Sequence, residues 1–262
     1  MLKMSTFVSS DQVRPSATVV VARAGSTSPE IFMVRRHADS SFGSAYAFPG
    51  GVVDPDDSLV NEYCRGLEDA DANLRLGIAG GGLAYYSAAI RELFEESGLL
   101  LADCAGFDED PADIRAALND GTLSWADFVK QNSLALHCEK LNYVSHWITP
   151  EFEPKRYSTR FFVTALPTGQ EANHCGGELT ESLWVTATEM LAAERRGEVK
   201  MIFPTIKTLE SIERHKTLDD LIEWAQSSVD WGITTMVPVA IKRDGKREIV
   251  LPGDRDYPGT KY

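Results

Sequence analysis

Two short apolar runs stand near the start of the chain. Ser16 to Arg23 and Glu30 to Arg36 are short apolar runs rich in β-branched residues, and they predict two strands joined by Gly25-Ser26-Thr27-Ser28. Phe42 to Tyr46 reads as a loop leading into Ala47-Phe48-Pro49-Gly50-Gly51-Val52-Val53, and Asp54 to Asp57, with Pro55 inside it, as a turn. From Asp57 to about Gly77 the pattern is polar and helical, with Leu59, Tyr63 and Leu67 as its apolar positions, and it breaks at Gly80-Gly81-Gly82. Ala84 to Ser97 predicts a strongly amphipathic helix that stops at Gly98, a residue free to take the left-handed cap conformation.

Further helices are predicted at Pro111 to Leu118, Ser124 to Asn132, Ala187 to Arg196, Pro204 to His215 and Leu218 to Ser227. Strands are predicted at Leu141 to Thr149, Thr159 to Leu166 and Leu183 to Thr186, and a terminal hairpin, Val237 to Ile241 with Arg247 to Leu251, turns on Asp244-Gly245. Strands and helices interleave without a regular βαβ period. The predicted class is therefore α/β, with a mixed sheet carrying helices on its faces. No internal repeat or low-complexity tract divides the chain, so 1–262 reads as a single domain.

Composition narrows the function classes. A net charge of −13 argues against general nucleic-acid binding, which needs a broad basic surface. It leaves anionic small substrates open, because carboxylates can load divalent cations that in turn attract phosphates. No apolar run approaches the roughly 18 residues of a membrane span. Met1 to Ser10 lacks a secretory apolar stretch and Gly259-Thr260-Lys261-Tyr262 is not a peroxisomal address, so the cytoplasm is the expected compartment. Cys64, Cys104, Cys138 and Cys175 form no C-x-x-C pair, and they read as free thiols rather than a disulfide framework or zinc site. His137-Cys138 and His174-Cys175 are adjacent pairs, which rarely chelate one ion together.

The chemistry concentrates on the helix ending at Gly98. At about 100° per residue, Glu92, Glu95 and Glu96 share an arc of about 100°, while Tyr86, Ile90, Leu93 and Phe94 lie on the opposite side. Three like charges so close repel one another, and only Arg91, four residues before Glu95, offers local relief. Three glutamates alone would read as a solvated acidic face. Here they come with an arginine, an apolar residue at Leu93, the stop at Gly98 and apolar Leu99.

Arg91-Glu92-Leu93-Phe94-Glu95-Glu96-Ser97-Gly98-Leu99 resembles the second half of the Nudix signature, G-x5-E-x7-R-E-U-x-E-E-x-G-U, with U a bulky apolar residue. Phe48-Pro49-Gly50-Gly51 resembles its opening, Gly51 being the motif glycine, and Asp57 stands at the position of the first glutamate. Asp57 and Arg91 enclose 33 residues where the signature has seven, so about 26 are inserted, within 58–83. A box split in this way is similar to the acyl-coenzyme A diphosphatases, as are Trp147-Ile148-Thr149-Pro150 and Lys155-Arg156-Tyr157-Ser158-Thr159-Arg160-Phe161-Phe162.

The resemblance implies a Nudix-type α/β/α sandwich with an inserted helical segment and a C-terminal extension, 187–262, of helices and a hairpin. It implies hydrolysis of a diphosphate in a small-molecule nucleoside diphosphate derivative, coenzyme A or acyl-coenzyme A first, with an ADP-ribose or dinucleotide pyrophosphatase as the alternative. A non-catalytic ligand-binding module is a third reading, disfavoured because all three glutamates are kept. The implied cofactor is Mg²⁺ or Mn²⁺ on Glu92, Glu95 and Glu96, with the carbonyl of Gly50 as a further ligand. Glu92 or a downstream glutamate would take the proton of the attacking water, and Arg91 would orient a neighbouring glutamate. Glu178 and Glu181 precede a strand where many such proteins place an extra glutamate, and plain loop acids are as good a reading. Arg36, Arg156 and Arg160, with Arg35, are candidates to hold substrate phosphates, against a surface salt-bridge role for each. The insertion suits a lid, an oligomer contact or a tolerated loop, and the helices after Thr186 suit a homodimer interface equally.

Overall fold

The computed structural model describes residues 13–37, 43–103, 109–173, 179–243 and 246–258. The predicted turn at Asp244-Gly245, the pair His174-Cys175, Cys104 and Glu178 lie outside them. The chain opens with strands β1 (Arg14–Arg23), β2 (Glu30–Arg36), β3 (Ala45–Ala47) and β4 (Gly50–Val52). A 3-10 helix (Pro55–Tyr63) and a two-residue strand β5 (Cys64–Arg65) lead to α1 (Asp69–Leu76) and then to α2 (Gly82–Ser97). Next come β6 (Ala102–Asp103), α3 (Pro111–Asp120), α4 (Trp125–Gln131), β7 (Ala135–His137), β8 (Asn142–Ile148), β9 (Tyr157–Ala165) and β10 (Leu179–Thr186). The remainder is α5 (Ala187–Arg195), β11 (Lys200–Met201), α6 (Phe203–Ile212), α7 (Leu218–Ser227), β12 (Thr235–Met236) and the hairpin β13 (Val239–Arg243) and β14 (Lys246–Val250).

The main sheet is mixed. β1 and β9 run parallel at its centre, from Arg14 opposite Tyr157 to Ala22 opposite Ala165. The other edge of β1 is shared, its beginning pairing β4 and its end pairing β2, both antiparallel. Side chains alternate along β1 as period two requires: Ala17, Val19 and Val21 enter one core with α2, and Val20 and Ala22 enter a second with α5, α6 and α7. Helices thus cover both faces of one sheet, an α/β/α arrangement.

The inserted segment is less helical than its pattern suggests. Asp54 caps the 3-10 helix, its carboxylate accepting from Asp56 N while Asp57 Oδ2 accepts from Asp54 N, and Pro55 supplies the first helical position. Gly66, at φ +70°, then breaks the run, and a side chain there would overlap the Glu139 carboxylate. β5, β6 and β7 form a small second sheet that the pattern did not reveal, two of its strands being only two residues long.

The insertion caps the helix that follows it. No side chain within α2 caps its start; instead Asn73 Oδ1 accepts from Gly82 N at 2.7 Å, and Asp69 Oδ1 accepts from Leu83 N at 3.1 Å. Asn73 Nδ2 donates to Asp69 Oδ2 and fixes the pair. α2 buries Leu83, Tyr86, Ala89, Ile90, Leu93 and Phe94 beneath the sheet.

Candidate active site

Two glycines allow the sheet to meet the acidic side of α2. β4 lies against β1 with Gly50 opposite Thr18 and Gly51 opposite Ala17. A Cβ at Gly51 would fall 2.3 Å from Glu92 Oε1, and one at Gly50 would fall 2.4 Å from the Ala17 carbonyl oxygen. Glycine at both positions therefore follows from close approach, of backbone to backbone at Gly50 and of backbone to carboxylate at Gly51. Gly50 N–H donates to Glu96 Oε2 at 2.9 Å, tying the loop to the helix.

Arg91 organises the remaining charges. Its Nε and Nη2 donate to the two oxygens of Asp57 at 3.1 and 3.0 Å, a forked pair, and Nη2 also donates to the Val52 carbonyl at 2.8 Å. Its Nη1 donates to Glu92 Oε1 at 2.8 Å and to Glu95 Oε2 at 3.3 Å. Asp57 is fully buried and also accepts from Ser87 Oγ, whose oxygen in turn accepts from the Trp125 indole. The aspartate at the first acidic position of the split box thus anchors the arginine that holds the two carboxylates beyond it.

Burial pushes the Glu95 carboxyl up to about 7, against the pull of the Arg91 guanidinium and with help from the Glu92 charge. Burial raises Glu92 as well, again opposed by Arg91. A second cation beside this group would relieve both.

Glu92, Glu95 and Glu96 line a polar cleft of about 430 Å³, which Asn119 at the end of α3 and Gly121 just after it also line. On the opposite face of the sheet, a chamber of about 970 Å³ begins at Gly50, Gly51 and Arg36 and extends outward between apolar walls. Of the candidate phosphate-binding residues, Arg36 is brought to the glutamates: its Nη2 donates to the Gly50 carbonyl at 2.7 Å and lies 3.6 Å from Glu96 Oε1. Arg156 donates Nε to the Thr149 carbonyl, at a residue that lines the chamber. Arg160 lines neither space. It is buried on the α2 face with its guanidinium 4.3 Å over the Tyr85 ring, and Nη1 donates to Ser158 Oγ at 3.3 Å. Glu181 stands away from the carboxylate cleft, accepting from Tyr46 Oη at 2.9 Å, with Arg35 at 3.4 Å. Burial and that hydrogen bond raise the Tyr46 phenol to about 12.

Sequence reasoning did not foresee Tyr46 in the chamber wall, nor Asp69 and Asn73 as the cap of α2. The only signal for the cap lay in the composition of the inserted segment, rich in Asp and Asn ahead of a glycine run.

Among the described residues, no three His, Cys, Asp or Glu side chains already converge as the ligands of one ion. Arg91 and Arg36 occupy the oxygens instead. The donor set still fits a hard divalent cation: desolvated carboxylates at Glu92, Glu95 and Glu96, and a backbone carbonyl at Gly50 beside them.

No family model matches the chain. It is similar to the putative nudix hydrolase 7 of Caenorhabditis elegans, 24% identical over 251 residues that cover 93% of this chain and 74% of that protein. It is also similar to the acyl-coenzyme A diphosphatase NUDT19 of Xenopus laevis, 22% identical over 271 residues, covering 87% of this chain and 71% of that one. Among solved structures, the NUDIX hydrolase from Alicyclobacillus acidocaldarius superposes with a TM-score of 0.69 at 27% identity, over 81% of this chain and 96% of that one. The chain is a relative of the Nudix hydrolases. The fold and the split box agree with that kinship, and the likenesses support a phosphoanhydride hydrolase. Among the described residues no helix is long and apolar enough to cross a membrane.

Proposed function

We propose that this Nudix relative hydrolyses the diphosphate linkage of a nucleoside diphosphate derivative with the help of Mg²⁺ or Mn²⁺, coenzyme A or an acyl-coenzyme A being the first substrate to test. The observation that carries the reading is the gathering of Glu92, Glu95 and Glu96 against the Gly50-Gly51 strand, in a partly buried cleft that adjoins Arg36. Glu92, Glu95, Glu96 and the Gly50 carbonyl are the residues that would hold the metal. Bound there, the ion would lower the pKa of a coordinated water and neutralise charge developing on phosphate oxygens.

The chain's own groups supply the rest. Arg91 fixes the rotamers of Glu92 and Glu95 through Nη1, so the carboxylates are placed before substrate arrives. Of the same carboxylates, Glu92 or Glu95 accepts the proton of the attacking water when it is not itself a ligand of the ion. Arg36 neutralises the substrate phosphates from the chamber side. The likeness to the Xenopus acyl-coenzyme A diphosphatase supports the choice of first substrate.

The test is hydrolysis by purified protein with Mg²⁺ or Mn²⁺ against coenzyme A, acyl-coenzyme A, ADP-ribose, NADH and nucleoside triphosphates, for the native chain and for Glu96→Gln. Cleavage that falls by at least about a hundredfold in the variant is expected, since several kcal/mol of charge stabilisation depend on the metal site. An unchanged rate would remove the site. No cleavage of any of them would point to a ligand-binding module.

A further inference from the structure

α2 places two of its carboxylates where its own backbone disfavours them. Glu95 and Glu96 lie in the last turn, at the negative end of the helix dipole, and no basic residue of α2 stands there to offset it. The last four carbonyls of a helix also lack donors within the helix. Phe94 O is met by the Gly98 N–H, but Glu95 O and Ser97 O are met from other parts of the chain.

Arg115 of α3 supplies the cation. Its Nε and Nη2 both donate to Glu95 O, at 3.1 and 3.0 Å, and Nη2 also donates to Asn173 O at 2.9 Å. The Asn173 N–H donates to Ser97 O at 2.8 Å, so the chain beyond β9 is pinned to the same turn. Gln170, earlier in that stretch, brackets Leu100 with both ends of its amide, at 2.8 and 2.9 Å. A Cβ at Gly98 would stand 3.2 Å from Arg115 Nη1, which puts the guanidinium directly over the helix end. α3 buries Ile114, Arg115 and Leu118 together, and the two apolar residues root it in the core. Arg115 lines neither the cleft nor the chamber, so its reach to the site is through the α2 backbone.

We propose that Arg115 is a positioning residue: by clamping Glu95 O to Asn173 O it holds the last turn of α2 where Glu95 and Glu96 can serve one ion. The inference rests on the metal-dependent diphosphatase reading and adds to it a device outside the Nudix signature. A charge effect is the competing account, and the two differ in sign. A guanidinium nearby repels an incoming cation, so as charge alone its loss would tighten Mn²⁺ binding. As a clamp, its loss lets the turn fray and weakens binding.

The experiment measures Mn²⁺ binding by electron paramagnetic resonance, taking as the site the one that Glu96→Gln abolishes. Arg115→Gln keeps an amide donor without the charge. Arg115→Lys keeps the charge without the fork, and carries the test should the first variant not fold. Both should bind Mn²⁺ about tenfold more weakly than the native chain, as expected for loss of a group that orients metal ligands. In the metal-free protein, amide hydrogen exchange at Gly98 and Asn173 should speed up in both. Asn73→Ala is the control, since it loosens the opposite end of α2 and should leave Mn²⁺ affinity where it was.

Native affinity in both variants, with only thermal stability lost, would make Arg115 an ordinary cap and overturn the inference alone. Tighter binding in Arg115→Gln beside native affinity in Arg115→Lys would assign it a charge role and overturn it too. An equal loss in Asn73→Ala would do the same, by tracing the effect to general loosening of α2. A native chain with no Mn²⁺ site that depends on Glu96 would take the diphosphatase reading down with it.

Discussion

Arg36 places its Nη2 2.7 Å from the Gly50 carbonyl oxygen and 3.6 Å from Glu96 Oε1, so one guanidinium touches two of the atoms assigned to a metal ion. A fixed positive charge this close competes with an incoming cation. Arg36→Ala should therefore bind Mn²⁺ more tightly, by on the order of 1 kcal/mol or about fivefold, while its KM for substrate rises because a phosphate contact is lost. Calorimetry or Mn²⁺ electron paramagnetic resonance reads the first effect without any turnover. Weaker Mn²⁺ binding in the variant would show that Arg36 supports the site rather than holding its place.

Gly51 sets the distance between the sheet and Glu92. A methyl group there would overlap the Glu92 carboxylate, 2.3 Å from Oε1, so Gly51→Ala must push that side chain out of the cluster or shift β4. Hydrolysis should fall by at least about a hundredfold, a loss of roughly 3 kcal/mol in transition-state stabilisation. The melting temperature should fall as well, because the methyl group either breaks the Arg91–Glu92 pairing or shifts β4 against β1. Near-normal activity would mean that Glu92 can serve from a displaced position.

The inserted segment holds the start of α2 through Asn73 and Asp69. Asn73→Ala removes the acceptor at Gly82 N and the donor to Asp69. Loss of a cap costs about 1 kcal/mol, which for a domain of this size lowers the melting temperature by roughly 2–4 °C. Thermal unfolding monitored by circular dichroism checks it. An insertion that is only a tolerated loop would leave the transition where it was.

Elements that bury one face were legible because their periodicity is physical. The α2 pattern ends at Gly98, which takes φ +75° as its cap, and β2 and α7 span the residues their patterns delimit. The carboxylate cluster was legible for the same reason, since three glutamates on one arc of a helix must face one place. The small sheet of β5, β6 and β7 was not, because two-residue strands carry no alternation and are held by pairing alone. Arg160 shows the limit on the site: its position on β9 gives its face, the α2 side, and nothing in the sequence says that Tyr85 and Leu76 of other elements cover it. Long-range packing decides which arginine reaches the glutamates.

His146 sits opposite Arg160 across β8 and β9, with Nε2 2.8 Å from Ser158 Oγ and Nδ1 2.9 Å from Thr235 Oγ1. Burial, followed by the charge of Arg160, lowers its pKa to about 4 from an ordinary value of 6.5. The folded state therefore keeps His146 neutral while the unfolded chain takes up a proton below 6.5, so protons drive unfolding between about 6.5 and about 4. Stability supplied by the neutral ring is complete above that window and falls through it, by up to about 3 kcal/mol. Other groups also titrate on acidification, so the measurement is a difference. Urea unfolding of the native chain and of His146→Gln from pH 7.5 to 4.5 should give curves that diverge, with the native chain losing ground to the variant as pH drops below about 6.5. Parallel curves would mean that the ring titrates alike in both states and that the Arg160 side of the sheet is open to water.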